Sequence, residues 1–419
     1  MMVASEAALN WIRTRVKNVT AINARSLGTE TPQDYTFRYL EISNVNGRGL
    51  VSEEAISEMT LEEAPSRARR VVQDGDTVIS SVRPNLQAAA FIRKTGGNLV
   101  ASTGFFVVSP LRHKLDDKFT YYALVADESR QRFEAAAKGV GYPAVDDKDF
   151  STLNLNLPPL SEQRQIAAYL DNACVAIDGA IRAKRRQLEV LDDLRKSIIH
   201  KAVTRGLDEQ VVLAESGIEW VEKKPLHWRT CRIKEVCDFF NTVRVPLSAE
   251  ERGQMTEKVF DYYGASGVID KVESYLFDGT YILIAEDGAN LLRRSSPLAF
   301  IASGKFWVNN HAHILRPRFG DMEYFVHLLE SLDYSLYVTG SAQPKLTKEN
   351  LEMFKIIVPS SINEQKQISA FLRNKNEEIQ TLKNNLGGQI SALEQYRKSL
   401  IHECVTGKRR ITEADLAVV

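Results

Sequence analysis

No run of 18 apolar residues occurs among the 419 residues, and no signal segment with an apolar core opens the chain, so a cytoplasmic protein is expected. Cysteine is scarce. Cys174, Cys231, Cys237 and Cys404 show neither C-x-x-C pairing nor a disulfide-like framework, and they read as reduced thiols. An excess of one charge is missing too: 54 Lys and Arg balance 54 Asp and Glu, so any polyanion must be met by a local patch. Phosphate-loop, glycine-rich dinucleotide, H-E-x-x-H and zinc spacings do not occur. Pro158-Pro159 is flanked by leucines, without the polar and aromatic neighbours of an amino-methyltransferase motif. His311 and His313 are two of seven histidines and lack a third ligand, so they read as satisfied strand residues. Glu286-Asp287 before Gly288 reads as a pair of turn carboxylates. Nothing here argues for catalysis.

What is present is a repeat. From Ser161 the chain reads S-E-Q-R-Q-I-A-A-Y-L and runs to R-K-S-I-I-H200; from Asn363 it reads N-E-Q-K-Q-I-S-A-F-L and runs to R-K-S-L-I-H402. Apolar residues recur at steps of four and three: Ile166, Leu170, Ala173, Ile177, Ala180, then Leu191, Leu194 and Ile198 in one copy, answered by Ile368, Leu372, Ile379, Leu382, Leu386, Leu393, Tyr396 and Leu400 in the other. A stripe of period 3.5 predicts a coiled-coil seam. Two rods of about 42 residues and about 63 Å, separated by a globule, predict an antiparallel pair. Lys184 and Lys375 fall on the seam, either fixing register or reaching past its edge. Gly387-Gly388 lies inside the second rod, at a cost of about 2 kcal/mol relative to alanines, and marks a kink or a close helix approach.

The repeat extends beyond the rods. Trp11, Arg15, Lys17 and Val19 match Trp228, Arg232, Lys234 and Val236, while Gly139-x-x-x-Pro143 matches Gly340-x-x-x-Pro344. Short β-like runs (37–42, 76–82, 105–108) and a helical stretch from Lys118 to Lys138 make the first globule α+β. The predicted plan is α+β: two α/β globules in tandem, each followed by a long helix, with the helices paired antiparallel about a pseudo-two-fold internal repeat. The expected domains are 1–158, a helix 159–205, a second globule 206–359, a second helix 360–408, and a tail 409–419. Arg83-Pro84-Asn85 stands where Asp287 to Asn290 stands, in a shared frame with different contents. Such a chain suits two readers of different things.

The twin E-Q-[RK]-Q-I helices, the Trp-led openings, Tyr262-Tyr-Gly-Ala-Ser-Gly267, Phe277-Asp-Gly, Gly75-Asp-x-x-Ile-Ser-Ser and Asn310-His-Ala-His together resemble the specificity subunit of Type I restriction-modification systems. The resemblance implies two target-recognition domains on double-stranded DNA, each reading half of an asymmetric bipartite site. It implies helices that dock methyltransferase (modification) subunits, two of them, and a restriction subunit. Chemistry would then belong to the partners, with S-adenosylmethionine, ATP and Mg²⁺ bound there and no cofactor or metal on this chain. A stand-alone DNA-binding regulator or decoy is the alternative.

DNA reading has to be carried by local basic and polar loops. Arg67, Arg69, Arg70, Arg83, Lys138 and Tyr142 are the candidates in the first globule. Arg293, Arg294, Ser295, Lys305, Asn309, Asn310, Gln343 and Lys345 are those in the second. Arginine suits guanine edges, Asn and Gln suit adenine, and Lys, Ser and backbone amides mostly take phosphates. For partner subunits the outward rod faces are expected to offer Glu162, Gln163, Arg195 and Lys196, with Glu364, Gln365, Arg397 and Lys398 as the second set.

Overall fold

The computed structural model describes residues 11–47, 49–93, 98–294, 296–340 and 343–417. The chain divides into two compact units, residues 1–185 with 387–419, and residues 186–386. Each unit holds one globule, the start of one long helix and the end of the other. No helix among the described residues is long and apolar enough to cross a membrane.

In the first unit the opening strand Ile12–Arg15 pairs antiparallel with the closing strand Asn154–Leu157, so the globule is sealed where the chain leaves it. Between them lie two four-stranded sheets. One runs Thr20–Ile22, Phe105–Pro110, Thr77–Ser80, Ala89–Phe91; the other runs Ser57–Thr60, Thr36–Leu40, Leu99–Ser102, Ala68–Val72. The stretch expected to be one helix from Lys118 is two, Asp117–Val125 and Asp127–Ala135, because Ala126 adopts an extended conformation.

The second unit repeats the plan. Arg229–Arg232 pairs with Lys355–Val358. A single six-stranded sheet runs Cys237–Phe239, Ala312–Pro317, Phe277–Ala285, Ala299–Val308, Phe260–Gly264, Gly267–Val272. One sheet replaces two for a local reason. Gly279 and Gly304 face each other in register with φ of 135° and 83°, so the ladder bends there without breaking. In the first globule the corresponding chain turns at Gly75, φ 92°, and both strands are interrupted.

The long helices, Leu160–Arg205 and Ile362–Val405, are unbroken. In the first unit Arg409 lies 5.1 Å over the Tyr169 ring, Asp178 meets Arg397 at 3.4 Å, and Arg185 meets Glu394 at 3.1 Å. In the second unit Asp192 meets Lys383 at 2.7 Å and Arg195 meets Asn376 at 2.9 Å. Partner numbers fall as residue numbers rise, so the helices pack antiparallel. The seam itself differs from the strict heptad expectation. Leu194, Leu382 and Tyr396 are about half exposed, while Ile181, Ile199, Ile390 and Ile401 are buried. A straight helix drifts about 20° per heptad against a 3.5 repeat, and the globules claim the faces near the helix ends. Lys184 reaches Gln389 on the other helix, whereas Lys375 pairs with Glu378 on its own. Gly387 and Gly388 produce no break, and a methyl group added at either would meet nothing within 4 Å.

Each globule is clamped to its helices by the same devices. Gly206, just past the first long helix, lies against Trp228, whose indole donates to Glu364 at 2.9 Å. Gly407, just past the second, lies against Trp11. A methyl group added at Gly206 would crowd the Trp228 ring at 3.3 Å and one at Gly407 would touch Trp11 at 3.5 Å, while both glycines carry φ of 76°, which L side chains rarely adopt. Beside these clamps one station carries opposite charges in the two units: Asp171 binds Lys118 at 2.8 Å and Arg93 at 3.1 Å, while its counterpart Arg373 pairs with Glu323. Exchanging helix segments between globules would set like charges together there.

Candidate nucleic-acid interface

Two loops form a tip on each globule. In the first, strand Thr77–Ser80 runs into a turn in which Arg83 and Gln87 take left-handed backbones, φ 49° and 57°, around a single helical turn, Pro84–Leu86. The 138–145 loop docks on it. Arg83 N–H donates to the Pro143 carbonyl at 2.7 Å, Val145 N–H to Ser81 at 2.9 Å, and Lys138 and Ala144 exchange both backbone bonds. The second globule repeats these backbone bonds around a turn one residue longer, Asn290–Arg293. Gly288 N–H donates to Pro344 at 3.0 Å, Leu346 N–H to Glu286 at 2.8 Å, and Leu291 N–H to Gly288 at 3.1 Å, as Leu86 N–H does to Arg83 at 2.9 Å. Gly139 and Gly340, φ 102° and 85°, open the docking loops. The expected alignment of Arg83-Pro84-Asn85 with 287–290 is the one observed, with Arg83 at the place of Gly288.

On the first tip the Arg83 guanidinium lies 4.6 Å over the Tyr142 ring, and both side chains are exposed. Lys138 is exposed but bound between Asp146 and Asp149, at 2.9 and 2.8 Å. Those carboxylates hold its ammonium above the ordinary lysine range, and Lys138 in turn lowers the Asp146 carboxyl. Its charge is balanced locally. Arg67, Arg69 and Arg70 sit elsewhere, at and on strand Ala68–Val72 of the other sheet; Arg67 is exposed and the other two are half-buried. The tip candidates are therefore Arg83 and Tyr142, joined by Val140 of the same Lys138-to-Tyr142 stretch and by Asn85 and Leu86, which sequence reasoning did not single out as DNA contacts.

The second tip carries Arg293, Gln343 and Lys345, all exposed. Arg294 corrects an expectation. Its backbone is left-handed, φ 53°, and its guanidinium donates to the Leu332 carbonyl and lies 5.8 Å over Tyr334, so it holds the turn together. Asn309 is a second correction, since it is 6% exposed and its side chain accepts from His311 N–H at 2.8 Å, as a turn residue does. Asn310 is exposed beside it. Lys305 stands on strand Ala299–Val308, 4.7 Å over the Tyr275 ring, away from the two loops. Ser295 lies outside the described residues.

Beneath this tip a polar network fixes the loops. Glu286 binds Arg244 at 2.6 Å and Lys345 at 3.3 Å, and Arg244 also donates to the Ala312 carbonyl at 2.7 Å. Burial alone would raise the Glu286 carboxyl, but Arg244 and its other cationic neighbours keep it below its ordinary value. His313, fully buried, bonds Asn241 at 2.8 Å and the Leu346 carbonyl at 2.8 Å, and burial pushes its pKa down. It is a satisfied strand histidine, as expected. Asp287 holds His311 at 2.8 Å on the exposed side. Arg244 had no sequence signal at all. Among the described residues no group of His, Cys, Asp and Glu is placed to hold a metal ion. All four cysteines are buried, which raises the Cys231 thiol to about 11 and Cys237 and Cys404 to about 12.

The model of the Type I restriction modification DNA specificity domain matches residues 11–189 and again 225–390. The chain belongs to that family. It is 27% identical over 321 residues to the Type I restriction enzyme MjaVIII specificity subunit of Methanocaldococcus jannaschii, covering 71% of each chain. Among solved structures it resembles a chain from a study of complex assembly and conformational transition of the type I R-M system, with a TM-score of 0.78, 20% identity, and 96% of this chain and all of that one covered. It also resembles the HsdS subunit from Thermoanaerobacter tengcongensis, with a TM-score of 0.54, 21% identity, and 96% and 98% covered. The fold is thus that of specificity subunits, with two tandem DNA specificity domains and long helices packed together.

Within this family's frame the helix residues expected to face partner subunits separate into two groups. Gln163 and Gln365 are each 1% exposed and face inward. Gln163 accepts from Asp116 N–H at 2.8 Å and donates to the Lys114 and Pro158 carbonyls; Gln365 accepts from Asp321 N–H at 2.9 Å and donates to Pro359. Each glutamine ties the start of a long helix to the N-terminal cap of a globule helix, which explains their recurrence without a partner. Glu364 binds Trp228 and His227. Arg397 faces Asp178, its side chain largely buried, and Arg195 reaches Asn376 on the other helix. Lys196 and Lys398 remain exposed, and Glu162 is half-exposed.

Proposed function

We propose that this chain is the sequence-reading, non-catalytic subunit of a Type I restriction-modification complex. Each globule reads one half of an asymmetric bipartite DNA site, and the outward helix faces hold two methyltransferase subunits and a restriction subunit. The observation that carries this reading is the pair of tips, built on one hydrogen-bond frame but bearing unlike side chains: Arg83 stacked on Tyr142 in one, and Arg293, Gln343 and Lys345 in the other. A common frame with different contents is what two readers of different half-sites need. Adenine methylation and DNA cleavage, with S-adenosylmethionine, ATP and Mg²⁺, belong in this reading to the partners.

The test is co-expression with a cognate methyltransferase subunit, followed by mapping of methylated adenines. A stable complex that methylates one motif of two unlike blocks around an unread spacer is expected. Methylation by the chain alone would overturn the non-catalytic assignment. DNA binding without any methyltransferase partner would instead favour the stand-alone regulator.

A further inference from the structure

We propose that the first globule's tip is an apolar wedge that partly unstacks one base step in its half of the DNA, with Leu86 and Val140 as the inserted side chains. The proposal rests on the DNA-reading function above and gives that tip a mode of contact.

Three large side chains with apolar surface stand out at one place: Leu86 is 54% exposed, Tyr142 74% and Val140 fully. Single exposed apolar residues are ordinary on a protein surface, but three on two loops tied together by backbone bonds are not. The fold does not force the exposure. Leu291 occupies the place of Leu86 in the same turn of the second globule, with the same backbone bond, and is only 2% exposed. The second tip turns Leu291 inward but exposes the next residue, Leu292, at 52%; among the described residues only the first tip adds to its leucine an exposed valine and an Arg83–Tyr142 stack on the docked loop.

The pair of loops is stiff. The two are locked by the Arg83–Pro143, Val145–Ser81 and Lys138–Ala144 backbone bonds, with Arg83 and Gln87 held in left-handed conformations that only a well-determined turn sustains. A stiff tip can be driven between bases without collapsing. The occupant is identified by the chemistry around the apolar pair. Arg83 adds a cation stacked on an exposed ring, which suits a target that offers flat apolar faces flanked by phosphates. A stacked base step is such a target, and aliphatic side chains inserted between steps are an established way of kinking duplex DNA.

The experiment uses the full chain in complex with its methyltransferase subunits, on duplexes carrying the mapped site with 2-aminopurine placed in turn at each position of the first globule's half. A fluorescence rise on binding is expected at one position. It should vanish in the Leu86→Ser/Val140→Ser double variant, whose exposed substitutions leave the unfolding temperature unchanged, while affinity falls on the order of tenfold. Tight, specific binding with no rise that depends on these residues overturns the wedge and leaves the DNA-reading function standing. Failure of the wild-type complex to bind DNA at all overturns both. A variant that binds DNA normally but loses its methyltransferase subunits shows that the patch faces protein, and this too overturns the wedge.

Discussion

Adjacent arginines in the second tip have opposite fates, and the difference is testable one side chain at a time. Arg293 is exposed, so Arg293→Ala should leave stability within about 0.5 kcal/mol and relax base preference in one half-site by about 1–3 kcal/mol. Arg294 is bound to Leu332 over Tyr334 with a left-handed backbone, so Arg294→Ala should destabilise the second unit by about 1–3 kcal/mol. Denaturation and competition binding on both variants separate the two roles; equal effects on binding and stability would contradict them. His313 gives a pH signature. Burial lowers its pKa although Glu286 raises it, and His327 and His200, also in the second unit, are lowered by burial as well. An unfolded histidine protonates near pH 6.5 and the buried ones only below that, so the unfolded chain holds more protons through that window. Stability is therefore full above about pH 6.5 and declines as pH falls toward the folded values, by up to about 1.4 kcal/mol per pH unit for each group. Hydrogen exchange at pH 7.5 and 5.5 should show the second unit loosening before the first, and His313→Gln should make the dependence shallower.

At the scale of elements, most of the architecture was legible because it is written twice. A matched pair of forty-residue stripes marks two long helices, the Trp-led openings stand just before each globule's opening strand, and the Gly-x-x-x-Pro matches mark the paired docking loops. What was not legible follows from geometry that one-dimensional patterns lack. Gln163 and Gln365 looked like an exposed signature, but their polar groups are consumed by buried carbonyls and amides that only the folded globule supplies. Arg294 and Asn309 have the right chemistry for DNA, yet backbone conformation and burial assign them to turns. Leu194, Leu382 and Tyr396 left the seam because a helix of 3.6 residues per turn does not hold a 3.5 repeat without supercoiling. The glycine pair is a remaining oddity of an element. Since Gly387 and Gly388 sit in an unbroken helix with open space around both, Gly387→Ala with Gly388→Ala should stabilise the chain by up to about 2 kcal/mol. A rise in the unfolding midpoint measures this. If methyltransferase assembly weakens at the same time, the glycines serve a partner that approaches the helix backbone there.

At the scale of the molecule, the antiparallel helices are what make one chain into two matched units. Each globule is fastened to one helix start and one helix end through its tryptophan, its buried glutamine and a charge pair of its own sign. The first long helix begins in one unit and ends in the other, and the second returns, so in the proposed function their length is the ruler between half-sites. The two helices have 46 and 44 residues, about 69 and 66 Å at 1.5 Å per residue. Readers that enter the groove from one side favour centres about one helical turn of DNA apart, some 10 to 10.5 base pairs, with several unread pairs between the blocks. Removing one heptad from each helix, Lys184 to Val190 together with Leu386 to Ala392, shortens both by about 10 Å and keeps their packing faces nearly in phase. Those segments lie opposite one another, since Lys184 bonds Gln389, so each helix keeps its anchored ends. The tips are untouched, and the variant should recognise the same two blocks at a spacer about three base pairs shorter. Methylation mapping of the variant reads this directly. A folded, active variant that keeps the original spacer would mean that the helices do not set the distance.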